Sequence, residues 1–280
     1  MKLMHRSKYF FGLTALTAGI LGGGTLAATA YAATPSCGPS CVDVFSDQFG
    51  DGVTGHPGFL MDSAKQGVAT GTSIILFRES NHDPAEDFVF ENQGTVSDFA
   101  QAGLVSPMTS LHYGCIAGTV AFPTCVFGTD ESDGNANLDA YEIEYTPFGA
   151  ATGECAGLAA TPVAGEKVTL QPCGVSGRTV WIVDAFDGSG GPEQFGDSNS
   201  FGESTGTEDG VPLINGANTN FSHPFVLTYP DGYPTDQPRP VLQVTNLTGF
   251  FRGIFPDNTT ATMDVSSSQL WDALTGTVQR

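Results

Sequence analysis

The sequence predicts an all-β fold, and three observations support this prediction. The chain contains 36 Gly and 17 Pro, which divide it into short segments separated by turns. These segments are rich in Val, Ile, Phe, Thr and Tyr at alternate positions, which is typical of strands with one buried face. No segment keeps the period of a helix over three turns, so we expect helices to contribute little.

The first 32 residues are predicted to be a signal peptide. Lys2, Arg6 and Lys8 form a positive region, residues 10–25 are apolar, and residues 30–32 read AYA, which suits a cleavage site after Ala32. No later apolar run is long enough for a membrane helix. We therefore expect a secreted, extracellular protein.

The net charge excludes two classes of partner. The formal charge is −20, and loss of the three basic residues of the signal peptide leaves 7 Lys and Arg against 30 Asp and Glu, or −23. Binding to nucleic acid or to an anionic membrane begins with positive charge. We therefore expect neither partner.

The six cysteines are an even number in a chain predicted to be exported, which favours disulfides. Fifteen pairings of six cysteines are formally possible. The distances along the sequence favour three local pairs, namely Cys37–Cys41, Cys115–Cys125 and Cys155–Cys173.

In chain order, residues 42–45 are predicted to form the opening strand. From Gly58 the chain continues through an alternating strand that includes Ile74 and Leu76 to an aromatic residue, Phe88. The same pattern occurs between residues 153 and 183. When the two copies are aligned, Leu60 corresponds to Cys155 and Asp62 to Gly157. Ile74 and Leu76 correspond to Val168 and Leu170, and Phe88 corresponds to Trp181.

A weaker third copy is predicted between these two. It consists of residues 103–106, a strand at 110–113 and a strand at 141–145, with a long polar turn at 114–139. Repeats of one supersecondary unit indicate a fold built from copies that share one core.

These units resemble the ricin-B-type β-trefoil, in which each repeat has a G-x-C-L-D-like start, a V-x-L-x-x-C-like middle and a Q-x-W-like end. The last motif reads EDF at 86–88, DAY at 139–141 and TVW at 179–181. The resemblance implies a β-trefoil core at residues 33–185. It also implies that the two cysteines of a repeat brace it.

The resemblance further implies a carbohydrate site in each competent repeat. An Asp accepts hydrogen bonds from sugar hydroxyls, an aromatic residue stacks on the sugar, and a polar turn residue completes the pocket. Carried over by position, the first unit offers Asp62 and Phe77, with Ser80 or Asn81 in the turn. The weaker copy at 103–145 offers Ser106 and His112. The copy at 153–183 has Gly157 and Gln171 at these positions, which cannot replace an Asp and an aromatic residue.

Beyond residue 185 the composition changes. Residues 186–210 are rich in Gly, Ser and acidic residues and are predicted to form a surface loop or linker. Residues 211–280 contain strand signals and are predicted to be a β extension that either completes the trefoil or flanks it. One continuous β domain is the favoured interpretation.

Two further motifs indicate other chemistry but have simpler interpretations. Asp133, Asn135, Asn137 and Asp139 carry oxygen atoms at alternate positions, as in calcium loops. The EF-hand spacing is distorted, however, and Glu142 and Glu144 are predicted to lie on the solvent face of a strand, so a solvated acidic turn is favoured. Ser198 lies in a G-D-S sequence like that of some esterases, but no D-x-x-H follows it.

The sequence therefore predicts a monomeric, non-catalytic binding protein without a cofactor or metal. Its expected partner is an extracellular glycan bound by the first repeat. The alternatives are a protein partner, held by the 114–139 loop with Val120, Phe122 and Pro123 at its tip, or a secreted hydrolase.

Overall fold

The structure is a computed structural model of the chain. It describes residues 41–46, 59–78, 83–113, 138–183, 211–221, 223–230, 240–248 and 266–275. The predicted signal peptide at 1–32 and the linker at 186–210 lie outside these residues and stay predictions.

The described residues form twelve strands and two short helices. The strands are β1 Cys41–Ser46, β2 Phe59–Ser63, β3 Ile74–Arg78, β4 Phe88–Thr95, β5 Asp139–Tyr145, β6 Glu154–Leu158, β7 Val168–Pro172, β8 Val180–Val183, β9 Leu213–Asn215, β10 Phe225–Thr228, β11 Gln243–Asn246 and β12 Trp271–Thr275. The helices are α1 Val96–Gln101 and α2 Pro107–Tyr113. The predicted all-β class is confirmed.

Six of the strands close into a barrel. Antiparallel pairing runs from β1 to β4, β5, β8 and β9. Just before β9, Val211 pairs with Trp271 at the start of β12, and β12 returns to β1 with Val42 opposite Thr275. Closure leaves the barrel strands without a free edge.

The other six strands form three hairpins, β2–β3, β6–β7 and β10–β11. Backbone hydrogen bonds join the three hairpins in a triangle. Leu170 N donates to Thr72 O at 2.8 Å, Val168 N to Leu242 O at 2.8 Å, and Leu242 N to Ile74 O at 2.9 Å. The hairpins therefore form a cap with an approximate threefold axis.

A closed six-stranded barrel capped by three hairpins is a β-trefoil. Unit 1 is β1–β4, unit 2 is β5–β8 and unit 3 is β9–β12, each contributing two barrel strands and one hairpin. The strands after residue 211 belong to the barrel and the cap.

The predicted weak copy at 103–145 does not exist as a repeat. The predicted strand at 110–113 is part of helix α2, so His112 lies on a helix. Pro107 occupies the first turn of this helix, and Ser106 Oγ accepts from Thr109 N at 3.0 Å. Ser106 therefore caps a helix, and the strand β5 that follows opens unit 2.

Helix α1 begins where β4 ends because a capping box forms there. Asp98 N donates to Thr95 Oγ1 at 3.2 Å, and Thr95 N donates to Asp98 Oδ2 at 2.9 Å. This arrangement satisfies two otherwise free backbone donors. Phe99 and Val96 of the helix then pack on the outer side of the barrel against Ala140 and Val180.

The main core fills the barrel and the space beneath the cap. Its largest side chains are Trp181, Trp271 and Tyr145, each fully buried. The predicted disulfide Cys155–Cys173 is confirmed and braces the β6–β7 hairpin, with a Cα–Cα distance of 5.1 Å. The other two predicted pairs involve Cys37, Cys115 and Cys125, which lie outside the described residues.

Candidate functional site

The three units place equivalent aromatic residues at the start of their last strand. A three-residue 3-10 turn ends two residues before each of them, at Pro84–Glu86, Gly177–Thr179 and Ser267–Gln269. The indole Nε1 of Trp181 donates to Ala156 O, and that of Trp271 donates to Leu227 O, both at 2.9 Å. Each Trp thus ties a barrel strand to the hairpin of its own unit.

Unit 3 contains the Q-x-W sequence that the resemblance implies, as Gln269-Leu270-Trp271. Sequence reasoning missed it because it assigned the third copy to residues 103–145. Gln269 is 1% exposed. Its Oε1 accepts from Thr248 N at 2.9 Å and its Nε2 donates to Asn246 O at 2.8 Å, so it holds the chain where it leaves β11.

The predicted sugar residues of unit 1 lie on one face of the β2–β3 hairpin. Asp62 pairs with Ile75, and Leu60 pairs with Phe77. Residues directly opposite each other share a face, and diagonal neighbours lie about 7–8 Å apart. Asp62 and Phe77 are such diagonal neighbours.

The two side chains differ in exposure. Asp62 is 1% exposed and Phe77 is half-buried. Strand β2 also contacts the Pro84–Glu86 turn. The aromatic ring is therefore the more accessible member of the pair, and the carboxylate lies beneath the surface.

The structure does not describe any of the remaining predicted sugar residues on this face of the hairpin. Ser80 and Asn81 lie outside the described residues. The backbone of His112 belongs to α2, which follows unit 1 and contacts α1.

The other units lack the carboxylate and aromatic pair. In unit 2 the equivalent positions hold Gly157, opposite Thr169, and Gln171. A Cβ atom on Gly157 would lie 2.8 Å from Arg178 O, so unit 2 has no room for an Asp there. In unit 3 the equivalents are Thr228 and Thr245, whose hydroxyls hydrogen-bond each other at 2.8 Å.

The prediction that Glu142 and Glu144 face solvent is wrong. They do share one face of β5, but Glu142 is 0% exposed and Glu144 is 4% exposed. The face is covered because the β6–β7 hairpin and its turns pack over it. Gly153 N donates to Glu144 Oε1 at 2.6 Å.

Glu142 is buried among neutral donors. Gly174 N donates to its Oε1 at 2.8 Å, Thr179 Oγ1 to the same atom at 2.5 Å, and Asn92 Nδ2 to its Oε2 at 2.6 Å. Gly174 follows β7 as Thr248 follows β11. Glu142 therefore holds the chain where it leaves β7 in unit 2, as Gln269 holds the chain where it leaves β11 in unit 3. Glu142 does so from the neighbouring strand β5.

A second surface lies where units 1 and 2 meet, at the Pro147–Gly149 turn between β5 and β6. Phe148 is 60% exposed and has φ 55° and ψ 26°, a left-handed conformation that costs a non-glycine residue about 1–2 kcal/mol. Its N–H donates to Asp87 Oδ2 at 2.8 Å. We call Phe148, Asp87, Asp83 and Gln66 the junction surface.

The junction surface is connected by hydrogen bonds. Asp83 Oδ1 accepts from Ala85 N at 3.0 Å and from Gln66 Nε2 at 3.1 Å. Burial raises the pKa of Asp87, and the charge of Asp83 acts in the same direction. Burial likewise raises the pKa of Tyr145 to about 12, with further contributions from Asp62, Asp87 and Asp83.

The structure offers little for the metal and hydrolase interpretations. Of the calcium candidates, Asp133, Asn135 and Asn137 lie outside the described residues, as does Ser198, and Asp139 begins β5. No group of three or more His, Cys, Asp or Glu residues in the described ranges could hold a metal ion. Within the same ranges, no helix has the length and apolar character to cross a membrane.

Comparisons with known proteins bear on the fold alone. The sequence matches no known family and no curated protein. Among solved structures, the chain is similar to a designed three-fold symmetric protein, ThreeFoil, at 8% identity and a TM-score of 0.43. The match covers 84% of this chain and 98% of ThreeFoil. The trefoil assignment stands on the strand pairing described above.

Proposed function

We propose that this chain is a secreted, non-catalytic binding protein that holds a glycan on unit 1. The observation that carries the proposal is the placement of Asp62 and Phe77 on one hairpin face. The equivalent positions of units 2 and 3 hold Gly157 with Gln171 and Thr228 with Thr245. Unit 1 alone combines a carboxylate with an aromatic ring.

The exposure of the two residues assigns them different parts in this proposal. The half-buried ring of Phe77 offers a flat apolar face for the C–H groups of a sugar. Asp62, at 1% exposed, acts from below: it keeps the hairpin face in place and presents negative charge to hydroxyl donors above it. Phe77 therefore supplies most of the direct contact.

The proposal is tested by a glycan array with the purified chain and with Phe77→Ala. Aromatic stacking provides much of the contact area in such a site, so we expect Phe77→Ala to lose glycan binding. Gln171→Ala is the matched control, because Gln171 occupies the same position in unit 2. It should bind as the unchanged chain does.

Asp62→Asn extends the test without removing a buried side chain. It keeps the volume and loses the charge, and we expect weaker binding with an unchanged melting temperature to within a few degrees. An array on which the unchanged chain binds no glycan refutes the proposal. Glycan binding that survives Phe77→Ala would place the site elsewhere.

A further inference from the structure

The junction surface presents an aromatic ring in a fixed position. Phe148 is 60% exposed, yet its backbone is held on both sides. Its own N–H binds Asp87 Oδ2 at 2.8 Å, and Thr146 N donates to Asp87 O at 2.8 Å. Gly149 N then donates to Thr146 O at 2.8 Å. A ligand stacking on this ring would have little backbone freedom to remove.

The polar groups beside the ring are carboxylates. Asp87 lies under the turn, and Asp83 is joined to it through the Pro84–Glu86 turn. The amide nitrogen of Gln66 is already bound to Asp83 at 3.1 Å. A carboxylate only accepts hydrogen bonds, so the surface favours a ligand that brings donors.

Negative charge is concentrated at this junction. Asp62 lies deeper in the same region, at 1% exposed. The carboxylates of Asp83 and Asp87 flank the Pro84–Glu86 turn, and this turn contacts strand β2, which carries Asp62. A cation placed above them would be attracted to several charges at once.

We propose that the junction surface docks an arginine side chain exposed by a partner protein. The planar guanidinium would stack on the ring of Phe148, and its N–H groups would bind the carboxylates of Asp87 and Asp83. Guanidinium suits both contacts, since it is planar, carries five donors and no acceptor, and stacks well on aromatic faces. A neutral sugar also brings donors, but it carries no positive charge and would therefore be attracted less strongly to the carboxylates.

The test measures binding of a labelled peptide, acetyl-(Gly-Arg)3-amide, to the purified chain by fluorescence anisotropy. The same peptide with citrulline in place of arginine keeps the shape and removes the charge. Phe148→Gly removes the ring and also accepts the positive φ, so its melting temperature should be unchanged or higher. Phe148→Tyr keeps a ring at the same position.

We expect Phe148→Gly to weaken binding of the arginine peptide by about twofold to fivefold, the range for an exposed cation–π contact. Phe148→Tyr should bind as the unchanged chain does, and the citrulline peptide should not bind. Asp87→Asn keeps an acceptor for the N–H of Phe148 and should also weaken binding. Val163→Ala, at another exposed apolar residue, 55% exposed, is the control and should have no effect.

Equal affinity of Phe148→Gly and the unchanged chain for the arginine peptide would overturn the proposal. So would citrulline binding equal to arginine binding. Loss of glycan-array binding in Phe148→Gly with unchanged arginine binding would instead make the junction a saccharide surface. Glycan binding on unit 1 is tested with Phe77→Ala, and arginine binding at the junction surface is tested with Phe148→Gly. Failure of one proposal therefore leaves the test of the other unaffected.

Discussion

At the scale of single residues, burial gives several acidic side chains a structural role. Glu142 and Glu144 alternate along β5 as the sequence predicts, but the face they share is covered, at 0% and 4% exposed. Burying a carboxylate is costly unless it is hydrogen-bonded. Glu142 meets that condition through Gly174, Thr179 and Asn92.

Glu142→Ala should therefore destabilise the fold strongly. It leaves three donors without their acceptor and creates a cavity, and we expect a loss of about 3–5 kcal/mol in the free energy of unfolding. Urea denaturation of the purified chain measures it.

Glu142→Gln is the matched control for this loss. Its Oε1 can still accept from Gly174 and Thr179, and a reoriented Asn92 amide can accept from its Nε2, so we expect a loss of about 1–2 kcal/mol. Equal losses for the two variants would show that the charged carboxylate itself, rather than the shape of the side chain, stabilises unit 2.

At the scale of elements, each hairpin is held against a 3-10 turn and the barrel strand that follows it. Unit 2 shows how closely they pack, because Gly157 of β6 lies against Thr179 and the carbonyl of Arg178. This contact explains why one unit has Gly where the first has Asp62. The sequence alignment correctly matched Gly157 with Asp62. It could not show that unit 2 has no room for a side chain at this position.

Gly157→Ala should destabilise unit 2 through this contact. The new Cβ would lie 2.7 Å from Thr179 Cγ2 and 2.8 Å from Arg178 O, and the backbone oxygen cannot rotate away. We expect a loss of about 1–3 kcal/mol, measured by thermal unfolding. An unchanged melting temperature would mean that the hairpin shifts freely from the turn.

At the scale of the whole molecule, the excess of acidic residues affects stability. The formal charge is −20, and like charges repel in the folded state. Burial raises the pKa of Asp87, Glu91 and Asp139, and the charges of Glu144 and Glu142 add to the effect on Glu91. Asp98 has a lowered pKa because Thr95 hydrogen-bonds it at the start of α1.

These shifts predict a pH dependence with a definite sign. A carboxyl whose pKa is raised on folding binds its proton more tightly in the folded state, so stability falls as pH rises from the unfolded value through the folded one. The window begins near 3.8 for Asp87 and Asp139 and near 4.5 for Glu91. Asp98 acts in the opposite direction, and its contribution is lost only below 3.8.

We therefore expect the melting temperature to rise as the pH is lowered towards 4.5, the unfolded value for Glu91. Calorimetry at a series of pH values measures it, and Glu91→Gln should reduce the rise because it removes one of the groups. A melting temperature that falls steadily over the same range would contradict the prediction.

Local sequence patterns determined the secondary structure of units 1 and 2. Alternating residues in β3 and β7, and the aromatic residues Phe88 and Trp181, were aligned correctly because β-strand periodicity and turn residues act over short distances. The Cys155–Cys173 pair was also predictable, since the two cysteines flank one hairpin.

Tertiary structure alone decided where the third unit lies. Leu170 precedes Trp181 by 11 residues, whereas the equivalent Val244 precedes Trp271 by 27, so the spacing hides the repeat. Only the closure of β12 on β1 identifies Gln269-Leu270-Trp271 as its end. The same holds for the burial of Asp62 and Glu142 and for the exposure of Phe148, because exposure depends on which distant segments pack above a residue.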